Sequence, residues 1–103
     1  MRAVAIFTIL ATATAAQASG LSDDEALTIV QKHCVMCHAA KPTHESFREP
    51  PNNVTLETIT DLKKHAAAVY AQTVRTKAMP LGDQTGMTDD ERAALGRWLK
   101  VNP

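Results

Sequence analysis

The chain holds two cysteines, Cys34 and Cys37, and His38 follows the second directly. Thiols three positions apart stand on the same side of one helical turn. Cys-x-x-Cys-His is the attachment pattern of c-type haem, in which both sulfurs reach the vinyl groups along one edge of the macrocycle and the imidazole turns toward the iron. Three other chemistries draw on the same residue types. A Cys34–Cys37 disulfide would close a tiny loop and stabilise little. A thioredoxin-like redox pair calls for a βαβ setting, and no strand pattern surrounds this one. A zinc site on Cys34, Cys37, His38 and His44 has four donors, but adjacent Cys37 and His38 strain a tetrahedron and finger spacings are missing. The expectation is one covalent haem on Cys34 and Cys37, with His38 as an iron ligand.

An iron that carries electrons without binding small molecules needs a sixth ligand. The candidates are Met36, Met79, Met87, His33, His44 and His65. Met36 lies inside the motif, and His33 on the same turn, where a partly exposed helix surface is expected for it. His65 falls midway along a helical stretch, and His44 is too close behind His38 to reach the opposite face. Met79 is far enough along the chain for the intervening residues to circle a haem. Pro80 is expected to end a helix there and to push Met79 toward extended backbone. Met87 is the second choice, sitting before a helix cap with Arg92 at the staple partner position. A thioether prefers ferrous iron, so His38/Met79 ligation implies a raised reduction potential. The other ring N–H of His38 needs a backbone carbonyl to orient it. The loop at Pro50 is the first candidate to supply one, and Pro51 the next.

Three helical stretches can position these groups. Ser22-Asp23-Asp24-Glu25 is a capping box with acids on the positive helix end, and Leu27, Val30, Cys34 and Cys37 follow at helical spacing. A second stretch is expected from Thr58 or Thr60 to about Lys77, with Ile59, Leu62, Ala66, Val69 and Thr73 or Val74 facing inward. The third opens on the box Thr88-Asp89-Asp90-Glu91 and runs through Leu95, Trp98 and Leu99. Pro42, Pro50, Pro51, Asn52 and Asn53 exclude regular structure from most of residues 39–57. No segment alternates with strand period, so the fold class is all-α. Loops this long in so small a domain call for something to fill the space they wrap.

The 103 residues suffice for one domain. Aromatics make up only 4%, and a small chain with a thin core leans on a staple such as a cofactor. Lys and Arg number 11 against 11 Asp and Glu, so no basic face for nucleic acid is expected. Residues 1–18 read as a secretory signal peptide: Arg2, an apolar run diluted by threonines, and Ala16-Gln17-Ala18 as the cleavage site. An uncleaved anchor is the alternative, but a span needs about 20 apolar residues. Residues 19–103 are then an exported domain, with a bacterial periplasm as the expected compartment.

With Cys34-Val35-Met36-Cys37-His38 early and Met79-Pro80 late, the chain resembles the class I cytochromes c from Ser22 to Lys100. The resemblance implies helices wrapped around one haem c, with the N- and C-terminal helices crossing so that Ala26, Leu27 and Val30 meet Leu95, Trp98 and Leu99. It also implies a proline near Pro50 as the carbonyl donor to the proximal His. A narrower similarity links Cys37 to Thr43, Pro50-Pro51, Lys77 to Gly82 and Thr85 to Thr88 with the cytochrome c domain at the C-terminus of bacterial membrane-bound urate oxidases, although this chain has no matching membrane domain. The implied role is a monomeric one-electron carrier, not an enzyme, between a dehydrogenase and an oxidase or other acceptor. Urate oxidation and transient contact with membrane complexes come with that similarity. The alternatives are a dedicated subunit of a membrane dehydrogenase, or a haem enzyme or sensor in which Met79 is displaced. Asp23-Asp24 and Asp89-Asp90 are expected to serve as helix caps rather than acid–base pairs. Lys41, Arg48 and Lys77 are expected as solvated charges.

Overall fold

A computed structural model describes residues 4–6, 8 and 20–102. The Ala16-Gln17-Ala18 cleavage site lies outside the described residues. Among those described there is no strand, and no helix is long and apolar enough to cross a membrane. The fold is all-α.

Helix α1 spans Asp23–His33, α2 Ile59–Lys64, α3 Ala66–Tyr70 and α4 Asp89–Val101. Short 3-10 turns occupy Pro51–Asn53 and Leu81–Asp83, and a π-helical turn, Ala71–Arg75, continues α3. Both capping boxes form as local chemistry dictates. The Ser22 hydroxyl accepts from Glu25 N–H at 3.1 Å while Glu25 Oε1 accepts from Ser22 N–H at 2.9 Å, and Thr88 and Glu91 repeat the exchange at 3.0 Å each way. Thr58 caps α2 by accepting from Asp61 N–H.

The single second helix expected to reach Lys77 is instead three pieces. His65, at φ −105° and ψ 17°, separates α2 from α3. The coil then widens, with Thr76 N–H bonded to Ala71 O. It closes at Thr76, whose hydroxyl donates to Ala71 O, and at Lys77, whose φ of 57° is the left-handed turn that ends helices. Pro80 therefore does not end the helix, which stops at Arg75. The inward stripe stands, with Leu62, Ala66, Val69 and Thr73 all buried.

The core joins Ala26 and Val30 of α1 to Leu62, Ala66 and Val69, and to Leu95, Trp98 and Leu99 of α4. Full burial of a side chain such as Leu62 or Leu95 contributes about 1.5–3 kcal/mol. Leu27 lies only half-buried and outside this cluster, because Ala26 takes the innermost position. Asp23, expected as a cap, is the first residue of α1 behind the Ser22 cap, and its side chain serves elsewhere: Oδ1 accepts from Trp98 Nε1–H at 3.0 Å and Oδ2 pairs with Lys63 at 3.5 Å, so one carboxylate ties α1 to α4 and α2. Gly96 lets the π turn approach α4, since a Cβ there would meet Val74 at 3.1 Å.

Candidate cofactor site

Helix α1 stops one residue before the first cysteine. Cys34 is its C-cap, with its N–H on Val30 O at 2.8 Å. Cys37 therefore rides on the turn after α1 rather than on its apolar face. Cys34 O accepts from Cys37 N–H at 3.2 Å and from His38 N–H at 2.9 Å, which keeps the pair on consecutive corners of one turn. Both cysteines are free thiols. Burial, helped by neighbouring Cys37, pushes the Cys34 thiol up to about 12, and burial also raises Cys37. Both are thereby held away from the thiolate form in which a redox cysteine attacks. Among the described residues no three His, Cys, Asp or Glu side chains converge as a metal ion would need.

His38 is held at three atoms. Its N–H is on Cys34 O, its C=O accepts from Leu56 N–H at 2.8 Å, and its Nδ1 is 2.9 Å from Val54 O. A carbonyl only accepts, so Nδ1 carries the proton and Nε2 keeps its lone pair. The orienting carbonyl is thus Val54's. Pro50 does not supply it, because its carbonyl accepts from Asn53 N–H at 3.0 Å in the adjoining 3-10 turn. Pro51 O is likewise engaged, by Val54 N–H. That turn needs φ of 56° and 57° at Asn52 and Asn53, a conformation asparagine tolerates.

Cys34, Cys37 and His38 open onto a cavity of about 590 Å³ with mostly apolar walls. Sites for large organic ligands run roughly 300–1,000 Å³. Val54 and Leu56 flank His38, Val69, Gln72 and Thr73 bring in α3 and the π turn, and Met79 to Leu81 bring in the segment beyond. Met79 N–H donates to Gln72 O at 2.9 Å, and its carbonyl accepts from Arg92 Nη1 at 2.8 Å. The Met79–Pro80 peptide is cis.

The other candidate ligands fall elsewhere or are engaged. Met87 is 5% exposed and packs in the core, outside the cavity. His65, at the helix break, is not part of the wall. Met36 is, on the same turn as the cysteines. His44 does line the cavity and reaches further than its sequence position suggested: Nδ1 accepts from Ser46 N–H at 3.0 Å, so Nε2–H donates to Gln84 at 2.9 Å on the Met79 side. Both of its nitrogens are used. Lys41, Arg48 and Lys77 are exposed and outside the lining.

His33 departs furthest from expectation. It is 2% exposed, not on a solvated surface. Glu91 Oε1 accepts from Nε2–H at 3.0 Å, and Thr85 Oγ1 sits 2.7 Å from Nδ1. The Thr88 backbone N–H, then His33 and Lys32, hold Glu91 down at about 2. Lysine 32 is 3.6 Å away and solvent-facing. Of the cavity's three histidines, His38 alone presents a nitrogen lone pair with no hydrogen-bond partner among the described residues.

No protein-family model matches the chain, and neither curated proteins nor solved structures include a match to it.

Proposed function

We propose that the chain is an exported mono-haem c-type cytochrome of the class I kind that carries single electrons. The observation that carries the reading is the state of His38: the Val54 carbonyl fixes the proton on Nδ1 and leaves Nε2 as a donor on the cavity wall, beside two protonated thiols. The donor set suits a haem. Cys34 and Cys37 would hold it through sulfur, His38 Nε2 would ligate the iron, and Met79 on the same cavity would be the second, soft ligand. When bound, the haem supplies a one-electron Fe(III)/Fe(II) couple.

The chain's own residues do the rest. Val54 O stops the His38 ring from rotating, as an orienting second partner does for metal-bound histidines, and Leu56 N–H holds the His38 main chain. The apolar wall of Val54, Leu56 and Val69 excludes water, which favours the less charged ferrous state. His38 and Met79 would together occupy the metal's open positions, which would keep small molecules from it and leave no need for a group for substrate chemistry. A dehydrogenase is the proposed donor and an oxidase or second cytochrome the acceptor. The sequence similarity to the urate oxidase cytochromes makes a urate-oxidising enzyme the first donor to try.

The test is expression with residues 1–18 in a host able to attach haem outside the cytoplasm. The exported protein is expected to gain the mass of one haem, resistant to acid extraction, and to show a low-spin spectrum in both redox states. A product lacking the macrocycle, or carrying zinc, refutes the proposal. A high-spin ferrous form that binds carbon monoxide at once would instead support a haem enzyme or sensor.

A further inference from the structure

Met79 lies on no helix, so something else must hold its segment against the cavity. One side chain gathers it. Arg92 Nη1 donates to Thr73 O at 2.7 Å and to Met79 O at 2.8 Å, using both of its N–H bonds. Nη2 lies 3.7 Å from Asp83 Oδ1, and the same oxygen accepts from Met87 N–H at 3.0 Å. A single guanidinium thus fastens the π turn, the Met79 main chain and the carboxylate that closes the far end of the 79–87 segment. Arg92 is 8% exposed, one turn ahead of Leu95 and Gly96 on the inward face of α4. An arginine survives there because Nη1 is paired with two carbonyls, and its planar fork turns Nη2 toward the Asp83 carboxylate at the same time. A merely filling residue at this position would be apolar, completing the staple with Met87.

We infer that Arg92 is the positioning residue of Met79. By bonding the Thr73 and Met79 carbonyls through one nitrogen, it fixes the methionine's main chain and so the lifetime of the sulfur–iron bond. The inference rests on the haem reading proposed above. Without the guanidinium, Met79 keeps only its N–H bond to Gln72 O, and its segment can swing from the cavity.

The experiment compares four haem-loaded proteins: the parent, Arg92→Leu, Arg92→Lys, and Leu95→Ala as a control that weakens the core on the same helix without touching Met79. Read-outs are the Met–iron charge-transfer band of the ferric form, the cyanide association rate and the reduction potential. Arg92→Leu is expected to bind cyanide on the order of tenfold faster, with a weakened band and a lower potential, since charged hydrogen bonds are among the stronger single contacts. Leu95→Ala should lower the unfolding midpoint yet leave rate and band within about twofold of the parent. Arg92→Lys keeps the charge as a point donor without the fork, and should fall between parent and Arg92→Leu, at about threefold or more above the parent rate. If Arg92→Leu does not accumulate, the Arg92→Lys comparison decides. Parent-like cyanide kinetics in these variants, while Met79→Ala binds cyanide readily, overturn the role of Arg92 alone. A parent without haem overturns the haem reading and this role with it, whereas a spectrum that Met79→Ala leaves unchanged removes Met79 from the ligand set, and this role with it, while the haem stands.

Discussion

Glu91 offers a test in which the structure sets the size of the effect. Its Oε1 accepts from Thr88 N–H at 3.0 Å and from buried His33 Nε2–H at 3.0 Å, and its Oε2 pairs with Lys32 at 3.6 Å. Replacing it with alanine strips half of a capping box, worth about 0.5–1 kcal/mol. It also leaves a fully buried imidazole N–H without an acceptor, which costs about 1–3 kcal/mol. The Lys32 pair adds little, because that lysine is mostly in solvent. Glu91→Ala should therefore cost about 1.5–4 kcal/mol at neutral pH. Glu91→Gln keeps the acceptor oxygen and loses only the charge. A carboxylate held at about 2 instead of 4.5 is worth at most about 3 kcal/mol. Screening at a side chain about one-fifth exposed reduces that to about 1–2 kcal/mol.

The pH dependence follows from the direction of that shift. The folded protein holds Glu91 below its unfolded value, so the stabilisation is complete above about 4.5 and is lost as pH falls toward about 2. The gap between parent and Glu91→Gln should be constant at pH 6–7 and close as acid is added. Urea unfolding followed by circular dichroism, repeated from pH 7 to pH 2.5, measures it. A Glu91→Ala protein within about 0.5 kcal/mol of the parent at pH 7, the range of ordinary surface substitutions, would refute the reasoning. So would a Glu91→Gln gap that does not narrow in acid.

Met79→Ala should lower the reduction potential and open the iron to carbon monoxide and cyanide, read by absorption spectra; an unaltered ferric spectrum would remove Met79 from the ligand set. Replacing Cys34 and Cys37 together with alanine should abolish acid-resistant haem, scored by mass spectrometry, and lower the yield of folded protein because cofactor binding is coupled to folding. Trp98→Phe removes the indole N–H on Asp23 and part of a buried ring, and urea unfolding should show a loss of about 1–3 kcal/mol. Thr88→Ala should cost about 1 kcal/mol by the same assay, through loss of the α4 cap.

What could be read ahead of the structure was local. Ser22 and Thr88 announce helix starts because a cap and its partner lie within one turn, and both form; of the two starts expected for the second stretch, Thr58 and Thr60, the structure uses Thr58. The end expected at about Lys77 lies within two residues of the observed one at Arg75, but its cause was not legible. That end depends on a π turn and on the Thr76 hydroxyl competing for main-chain carbonyls, neither of which has a periodic signature. Pro50 was a reasonable place to seek the carbonyl for His38, but any residue can offer a carbonyl. The choice of Val54 follows from Leu56 N–H pairing with His38 O, a long-range register that composition does not record. His33 was misplaced for a similar reason. Its spacing from Val30 and Ala26 already put it on the inward face, yet its partners Thr85 and Glu91 are more than fifty positions away.

Arg92 did leave a trace, as the charged residue that spoils an otherwise regular staple. Such breaches repay attention when they fall on an inward face, because a buried charge persists only where several acceptors converge on it. The first turn of α4 shows the consequence. Glu91 and Arg92 are neighbours in sequence but reach different residues of the cavity wall, Glu91 to His33 next to Cys34 and Arg92 to the Met79 carbonyl. A change at Glu91 loosens the seam between α1 and α4 and should register as stability. On the haem reading, a change at Arg92 frees the Met79 segment and should register at the iron. Two adjacent substitutions with such different read-outs are what a helix terminus reaching both the proposed attachment residues and the proposed methionine ligand would produce. A scaffold with no cofactor in the cavity would give the same kind of effect, loss of stability, at both.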